Sequence, residues 1–262
     1  MKIQVKKLTT FLDKAFMSGT QRITEALLSF DADGLHIIAD SATKYARTVS
    51  WMKPAAFTSY EAIGKVGMND LDKFMTVLGR FKKEIEITKI GTNLLQIKED
   101  NKIVDIEMMD ERFFGEQKPN PNLEFAEKFS IDAKSLQNIF SDVRVNKDAV
   151  LIIKTEPSRI IFMNTGKYKF KTDVFVDGLK GGNEVRFGDA FLSATDNLTD
   201  MLEISITTNY PAKIEEKTAE TEAEQRVAQE VEQEAPVEEA EAEEAKTEEN
   251  GSEETEEGET AQ

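Results

Sequence analysis

The chain offers little of the chemistry that depends on histidine or cysteine. It holds one histidine, His36, and no cysteine, which excludes a thiolate nucleophile, a disulfide framework, a Cys-based zinc site and a two-His metal cluster. A Ser-His-Asp triad would have to use His36, which lies in the alternating run 35–39, where a sheet-face histidine is the plainer reading. Asp31-Ala32-Asp33-Gly34 begins like a calcium loop but lacks the later ligands and the terminal Glu, so it reads as a hairpin turn. Gly178-Leu179-Lys180-Gly181-Gly182 has no Gly-Lys-Ser/Thr ending and reads as a crossover rather than a phosphate loop. The neighbouring carboxylates Asp70 and Asp72, or Asp110 and Glu111, show no sign of acid–base tuning, and Trp51 reads as sheet packing. The reading is therefore of a protein that is not an enzyme, with no catalytic residue, no cofactor and no metal. What remains is cationic. Lys7 and Lys14 share one helix face; Lys73, Thr76 and Arg80 share another, with Lys82 and Lys83 just beyond; Lys134, Gln137, Ser141 and Arg144 lie on adjoining parts of a third. Such residues either solubilise a surface or make loose, sequence-independent phosphate contacts.

These side chains need helices to carry them, and apolar spacing supplies four. The template i, i+3, i+4, i+7 is met by Leu8, Phe11, Leu12 and Ala15, by Leu71, Phe74, Met75 and Leu78, and by Leu136, Ile139, Phe140 and Val143. Phe191, Ala194, Thr195 and Leu198 meet it more weakly, because Thr195 interrupts the stripe. Each window predicts one face of a short amphipathic helix, with Asn69, Asp132 and Asp189 as the caps or acids of the last three. Short β-branched runs follow each window: 26–30, 35–39 and 45–52; then 84–90, 93–97 and 102–109; then 149–154, 159–163 and 168–176. After the fourth come 201–208 and only a short 211–214. The predicted unit is a helix plus a β-meander, repeated four times. The segment 111–125, with Pro119-Asn120-Pro121-Asn122, reads as a connector between two halves. The fold class is α+β, two similar halves of two units each, divided as 1–110, connector 111–125 and 126–214.

Charge divides the chain differently. The net charge is -17, and residues 215–262 hold 20 Glu, no Asp and only Lys217, Arg226 and Lys246, so the remainder is balanced. A segment of Glu, Ala, Thr and Gln cannot bury enough apolar surface to offset its ordering entropy. Residues 215–262 are therefore expected to be a disordered acidic tail, either a solubilising device or a competitor with polyanions for basic surface, whose deletion leaves folding intact. No signal-peptide-like or membrane-spanning run is present, which predicts a soluble cytoplasmic protein with no membrane partner.

The order of elements and several strings resemble the DNA sliding clamps of the PCNA family, closest to the archaeal or viral type, over roughly residues 1–214. The strings are Asp33-Gly34-Leu35 through Ala39-Asp40-Ser41, Gly67-Met68-Asn69-Asp70-Leu71, Asn122-Leu123-Glu124-Phe125, Asp148-Ala149-Val150 and Asn209-Tyr210-Pro211-Ala212-Lys213. The resemblance implies the DNA clamp fold and a processivity factor for DNA replication. It implies a ring, as a homotrimer, that encircles duplex DNA without sequence preference and tethers a DNA polymerase, with a clamp loader and other clamp-binding peptides as further partners. It would act at a nucleoid or in a viral factory.

On that resemblance Lys7, Lys14, Lys73, Arg80, Lys82, Lys83, Lys134 and Arg144 are the candidate DNA contacts. The fourth helix carries Asp189, Asp196 and Asp200 without a basic residue and is given no DNA role. The partner pocket would be built from Ala39, Phe113, Phe114, Leu123 and Pro211, although the last strand of the family's pattern is expected to be missing here. Ring closure would use the edges that carry Ile103, Val104, Ile106 and Met108 on one side, and Tyr168, Phe170, Thr172 and Val174 on the other. The alternatives are a monomeric or non-replicative clamp-like DNA-binding protein and, more remotely, an acidic-site hydrolase.

Overall fold

The computed structural model describes residues 1–115, 121–146 and 150–229. Four copies of one unit appear in sequence order, each a strand, a helix and a three-stranded meander. The first is β1 (Lys2–Gln4), α1 (Val5–Phe16), β2 (Ala26–Asp31), β3 (Gly34–Asp40) and β4 (Ala46–Met52). The second is β5 (Gly64–Met68), α2 (Leu71–Leu78), β6 (Glu84–Ile90), β7 (Leu94–Glu99) and β8 (Lys102–Glu107). The third is β9 (Glu127–Asp132), α3 (Ala133–Arg144), β10 (Leu151–Glu156), β11 (Arg159–Asn164) and β12 (Lys171–Phe175). The fourth is β13 (Glu184–Phe187), α4 (Asp189–Thr195), β14 (Met201–Ile206), β15 (Ala212–Lys217) and β16 (Thr221–Val227).

The helices form where the apolar spacing places them. α1 buries Val5, Leu8, Phe11, Leu12, Ala15 and Phe16, and α3 buries Leu136, Ile139, Phe140 and Val143. Asp70, not Asn69, caps α2 by accepting from the Lys73 amide at 2.8 Å, while Asp132 caps α3 through the Ser135 amide at 2.9 Å. Each supplies an acceptor for an amide that has no partner inside the helix. α4 opens after Gly188, with Asp189 in its first turn. It ends early where Thr195 returns its hydroxyl to the carbonyls of Phe191 and Leu192.

The leading strands exchange between units. β1 pairs with β6 of the second unit and β5 with β2 of the first; likewise β9 pairs with β14 and β13 with β10. Neither unit of a half can complete its sheet alone. The result is two four-stranded sheets, β1-β6-β7-β8 and β12-β11-β10-β13, and one eight-stranded sheet, β5-β2-β3-β4-β16-β15-β14-β9. The seam between halves is the antiparallel pair β4–β16, seven residues in register from Thr221 opposite Met52 to Val227 opposite Ala46. The two halves share one continuous core. Gly34 is fixed by the β2–β3 hairpin: its φ is +139°, and a Cβ there would sit 2.2 Å from the Met52 carbonyl oxygen.

The seam corrects the division at residue 215. Residues 212–227 are β-sheet, and the last strand is present and central rather than missing. Composition misleads because the segment alternates. Ala212, Ile214, Ala223 and Val227 point into the core together with Glu216 and Gln225, both fully or almost fully buried. The outward face carries paired charges: Glu215 with Lys213 and Lys217, Glu224 with Arg226, and Glu222 with Lys53. Burial pushes the Glu215 carboxyl up, but hydrogen bonds from Lys213 and Lys217 more than offset it and leave the group below the usual range. The rest of the expected tail, 230–262, lies outside the described residues, as do 116–120 of the connector, including Pro119 and Asn120, and residues Asp148 and Ala149. No helix among the described residues is long and apolar enough to cross a membrane.

Candidate nucleic-acid and partner interfaces

The eight candidate cations fall into two sets. Lys73, Arg80, Lys82 and Lys134 are exposed and face no carboxylate within ion-pair distance among the described residues. The others are committed. Lys7 meets both carboxylate oxygens of Glu220, at the tip of the β15–β16 hairpin, at 2.8 Å. Arg144 makes a two-pronged contact with Asp196 at 2.9 and 2.8 Å. Lys83 lies 3.3 Å from Asp100, a fully exposed pair that holds it weakly.

Lys14 is a correction. It is 7 % exposed, and its ammonium sits 2.6 Å from Glu216 and 3.4 Å from Asp200. Glu216, 2 % exposed, also accepts the amides of Thr199 and Asp200 at 2.7 and 2.8 Å. Gln225 donates to the Lys14 carbonyl at 3.0 Å. This is a structural ion pair pinning α1 to the fourth unit, not a loose phosphate contact. Helical spacing puts Lys7 and Lys14 on one face, but the hairpin that covers Lys14 comes from sequence taken for a tail.

The acidic groups of α4 are spent the same way. Asp189 accepts from Thr20 at 2.6 Å and Ser193 at 3.0 Å, Asp196 takes Ser18 as well as Arg144, and Asn197 donates to the carbonyls of Asp13 and Met17. They fasten the fourth unit to the end of α1 and to α3. Sequence reasoning missed the cleft of about 430 Å³ between α1 and the β15–β16 turn, lined by Lys6, Lys7, Thr10, Phe11, Thr218 and Glu220. Its only signal was Lys6 beside Lys7.

On another surface, a cavity of about 400 Å³ is lined by Leu27, Ile38, Ala39, Ser41, Phe113 and Phe114, with Lys44 and Arg47 at its polar edge. Phe113 and Phe114 belong to a short 3-10 turn, Glu111–Phe114. Asp110 caps that turn through the Arg112 amide at 2.9 Å and grips its guanidinium at 2.7–3.1 Å. Those bonds hold the Asp110 carboxyl down at about 2. Phe113 is 77 % exposed, whereas the Phe114 ring lies over Gly67, where a Cβ would come within 2.5 Å of it. The two Phe thus divide their roles, one anchoring the turn and one presented to solvent. Leu123 and Pro211 are half-buried and do not line this cavity. Arg226 ties the far end of the connector to the sheet by donating to the Pro121 carbonyl, and Tyr45 and Tyr210 are exposed aromatics nearby on the β4–β16 side.

The motifs set aside are occupied internally. His36 bonds Asp33 at 3.0 Å and stacks on Trp51 at 5.6 Å. The amides of Lys180 and Gly181, in the glycine-rich crossover, bind the chain's own buried Glu127 at 3.3 and 2.6 Å. A carboxylate of the protein fills the nest that a phosphate would need.

Four strand-helix-meander units in two equivalent halves, with β8 and β12 left as open edges, define the architecture of the DNA sliding clamps. No family model and no curated protein matches the sequence. Solved structures do match in three dimensions. PCNA of A. fulgidus, solved with the C-terminal region of FEN-1, has a TM-score of 0.78 at 16% identity, covering 89% of this chain and 98% of that one. A PCNA2-PCNA3 complex from Sulfolobus tokodaii gives 0.73 at 17%, covering 87% and 99%. PCNA of Entamoeba histolytica gives 0.73 at 13%, covering 88% and 98%. This chain has the PCNA clamp fold.

Proposed function

We propose that the protein is a sliding clamp, a ring of subunits that encircles duplex DNA and tethers a polymerase to it. The observation that carries this reading is the fourfold unit itself. It repeats a helix at each quarter of the chain and gives each half a four-stranded sheet with an open edge strand, β8 in the first and β12 in the second, which is the equipment for head-to-tail ring closure. Its role is that of a non-enzymatic scaffold. The surface around Ala39, Phe113 and Phe114 is the docking site for the polymerase, the loader and other clamp-binding peptides. The protein works where the DNA is, at a nucleoid or a viral factory.

The electrostatics favour a ring over a monomeric DNA-binding protein. Phosphate contacts give affinity in proportion to the cations free to displace counterions, and here several helix cations are already neutralised by Glu220, Glu216 and Asp196. A protein so equipped holds DNA poorly by charge, and retention by topology removes the need. On primed circular DNA with a loader present, the protein is expected to stimulate a polymerase, and linearising the DNA should abolish the effect because the ring runs off the ends. Equal stimulation on both templates would refute encirclement.

A further inference from the structure

The cleft between α1 and the β15–β16 turn sets basic residues against an apolar hollow. Its volume, about 430 Å³, falls in the range of about 300–1,000 Å³ over which clefts hold small ligands. Phe11 and Met52, both buried, form its floor. Lys6 and Lys7 border it from the first turn of α1, and Thr218, Glu220 and Thr221 from the hairpin opposite. Gln4 and Thr10 complete the wall, and neither side chain has a hydrogen-bond partner among the described residues.

An anion already sits at the mouth of the cleft, and it is the chain's own. Both oxygens of Glu220 meet the Lys7 ammonium at 2.8 Å, the charge-assisted contact that a phosphate would also make. The pair is half exposed, so it is held weakly. The turn that presents Glu220 does not depend on this contact. The Thr218 amide donates to the Thr221 carbonyl at 2.8 Å and the Lys53 amide to the Glu220 carbonyl at 2.9 Å, while the Thr218 hydroxyl accepts from the Thr221 amide at 3.0 Å. The Glu220 side chain can therefore swing away while the hairpin keeps its backbone bonds. Lys6, exposed beside Lys7, faces no carboxylate within ion-pair distance among the described residues. Opening the Glu220 contact thus leaves two adjacent ammonium groups at the lip of an apolar hollow. The complementary ligand carries an anionic group on a compact, flat body with hydrogen-bonding atoms at its edge. A nucleotide has that build: its phosphate suits Lys6 and Lys7, its base suits the hollow, and the base edge can meet Gln4 and Thr10. A base inside a duplex is stacked on both sides and cannot enter, so the nucleotide must be unpaired.

We infer that this cleft binds one unpaired nucleotide, free or within a single strand of DNA, with its phosphate in the place of the Glu220 carboxylate. The inference rests on the clamp reading for the nature of its ligand, and it adds a site that takes a base rather than duplex phosphates alone. Isotope-labelled full-length protein titrated with dTMP, thymidine and inorganic phosphate tests it through the amide resonances. Saturable shifts at Thr10, Phe11, Thr218 and Thr221 are expected with dTMP, at an affinity several-fold tighter than for either half of the molecule. Glu220→Gln, which removes the competing carboxylate, should tighten dTMP several-fold, and Lys6→Ala should weaken it by a similar factor. Thr10→Trp, which fills the hollow, should abolish the preference for dTMP over inorganic phosphate. Inorganic phosphate binding as well as dTMP would reduce the cleft to a pair of cations and overturn the site, as would no shift or shifts centred elsewhere. A single-stranded oligothymidylate that reproduces the dTMP shifts makes a DNA strand the source, and a response to dTMP alone makes it the free nucleotide. A duplex that moves the Thr10 and Phe11 amides equally overturns the requirement for an unpaired base. Polymerase stimulation confined to circular DNA without any dTMP response sinks only the cleft, whereas dTMP binding by a chain that stimulates no polymerase sinks only the clamp reading.

Discussion

Removing the Lys14 ammonium would strand the Glu216 carboxylate in a site only 2 % exposed. Breaking one partner of a buried ion pair costs about 3–5 kcal/mol, so Lys14→Met is expected to lower the unfolding free energy by about that much in denaturant titrations while leaving the salt dependence of DNA association unchanged. Glu220→Gln and Asp196→Asn should do the opposite. Each frees one cation, Lys7 or Arg144, and the slope of log affinity against log salt should steepen by about 0.9 for every phosphate gained. Lys73→Ala with Arg80→Ala should flatten it. Asp110 sets a pH response for the Glu111–Phe114 turn. Its carboxyl is held at about 2 against an ordinary 3.8, so the cap is fully present above pH 3.8 and is lost as pH falls toward about 2; the Arg112 amide resonance followed through that range would show it. Phe113→Ala should weaken binding of a clamp-binding peptide without changing stability, whereas Gly67→Ala should dislodge the Phe114 ring and alter both. The basic helix faces were legible in the sequence because spacing determines them. Their availability was not, because the carboxylates that occupy Lys7, Lys14 and Arg144 come from 52 to 213 residues away along the chain.

Elements show the same division between local and distant causes. The strongly periodic helices fall where their apolar residues recur, and β6 spans 84–90 as the β-branched run requires. The strands that precede each helix went unread. β1 has three residues and β5 contains two glycines, so neither carries a local strand signature, and each exists because a strand of the neighbouring unit offers it a ladder. β16 is the extreme case: its sequence, Thr-Glu-Ala-Glu-Gln-Arg-Val, is mostly polar, yet both of its edges are hydrogen-bonded, to β4 and to β15. Its alternation of inward Ala223, Gln225 and Val227 was the available signal, masked by the acidic composition that continues after it. A chain ending at residue 229 is therefore expected to unfold at nearly the full-length temperature, whereas one ending at 214 should lose cooperative unfolding, since it lacks β16 and the Glu216 partner of Lys14. Circular dichroism melts of the two truncations decide it.

At the scale of the whole molecule, charge follows the corrected boundary. Residues 1–229 hold 32 basic and 35 acidic groups, and the remaining 33 residues carry 15 Glu and Lys246. The near-neutral body agrees with a protein that would hold DNA by enclosure. Deleting only 230–262 is the clean test of whether the acidic segment competes with DNA for the exposed helix cations: stronger low-salt DNA association on fluorescence anisotropy would show that it does, and unchanged association would make it a solubility device. The β4–β16 seam has a further consequence, for biosynthesis. β4 is complete by residue 52, but its partner ends at residue 227, so while the chain is being made β4 waits as an open edge until that distant segment has been translated. Contacts of such separation are slow to form and leave a sheet edge available to other chains meanwhile. Newly made copies thus pass through an interval in which two nascent N-terminal halves can pair with each other, and production at high concentration or with a slowed C-terminal region should divert chains into aggregates, a loss that refolding the purified full-length protein at low concentration would not show.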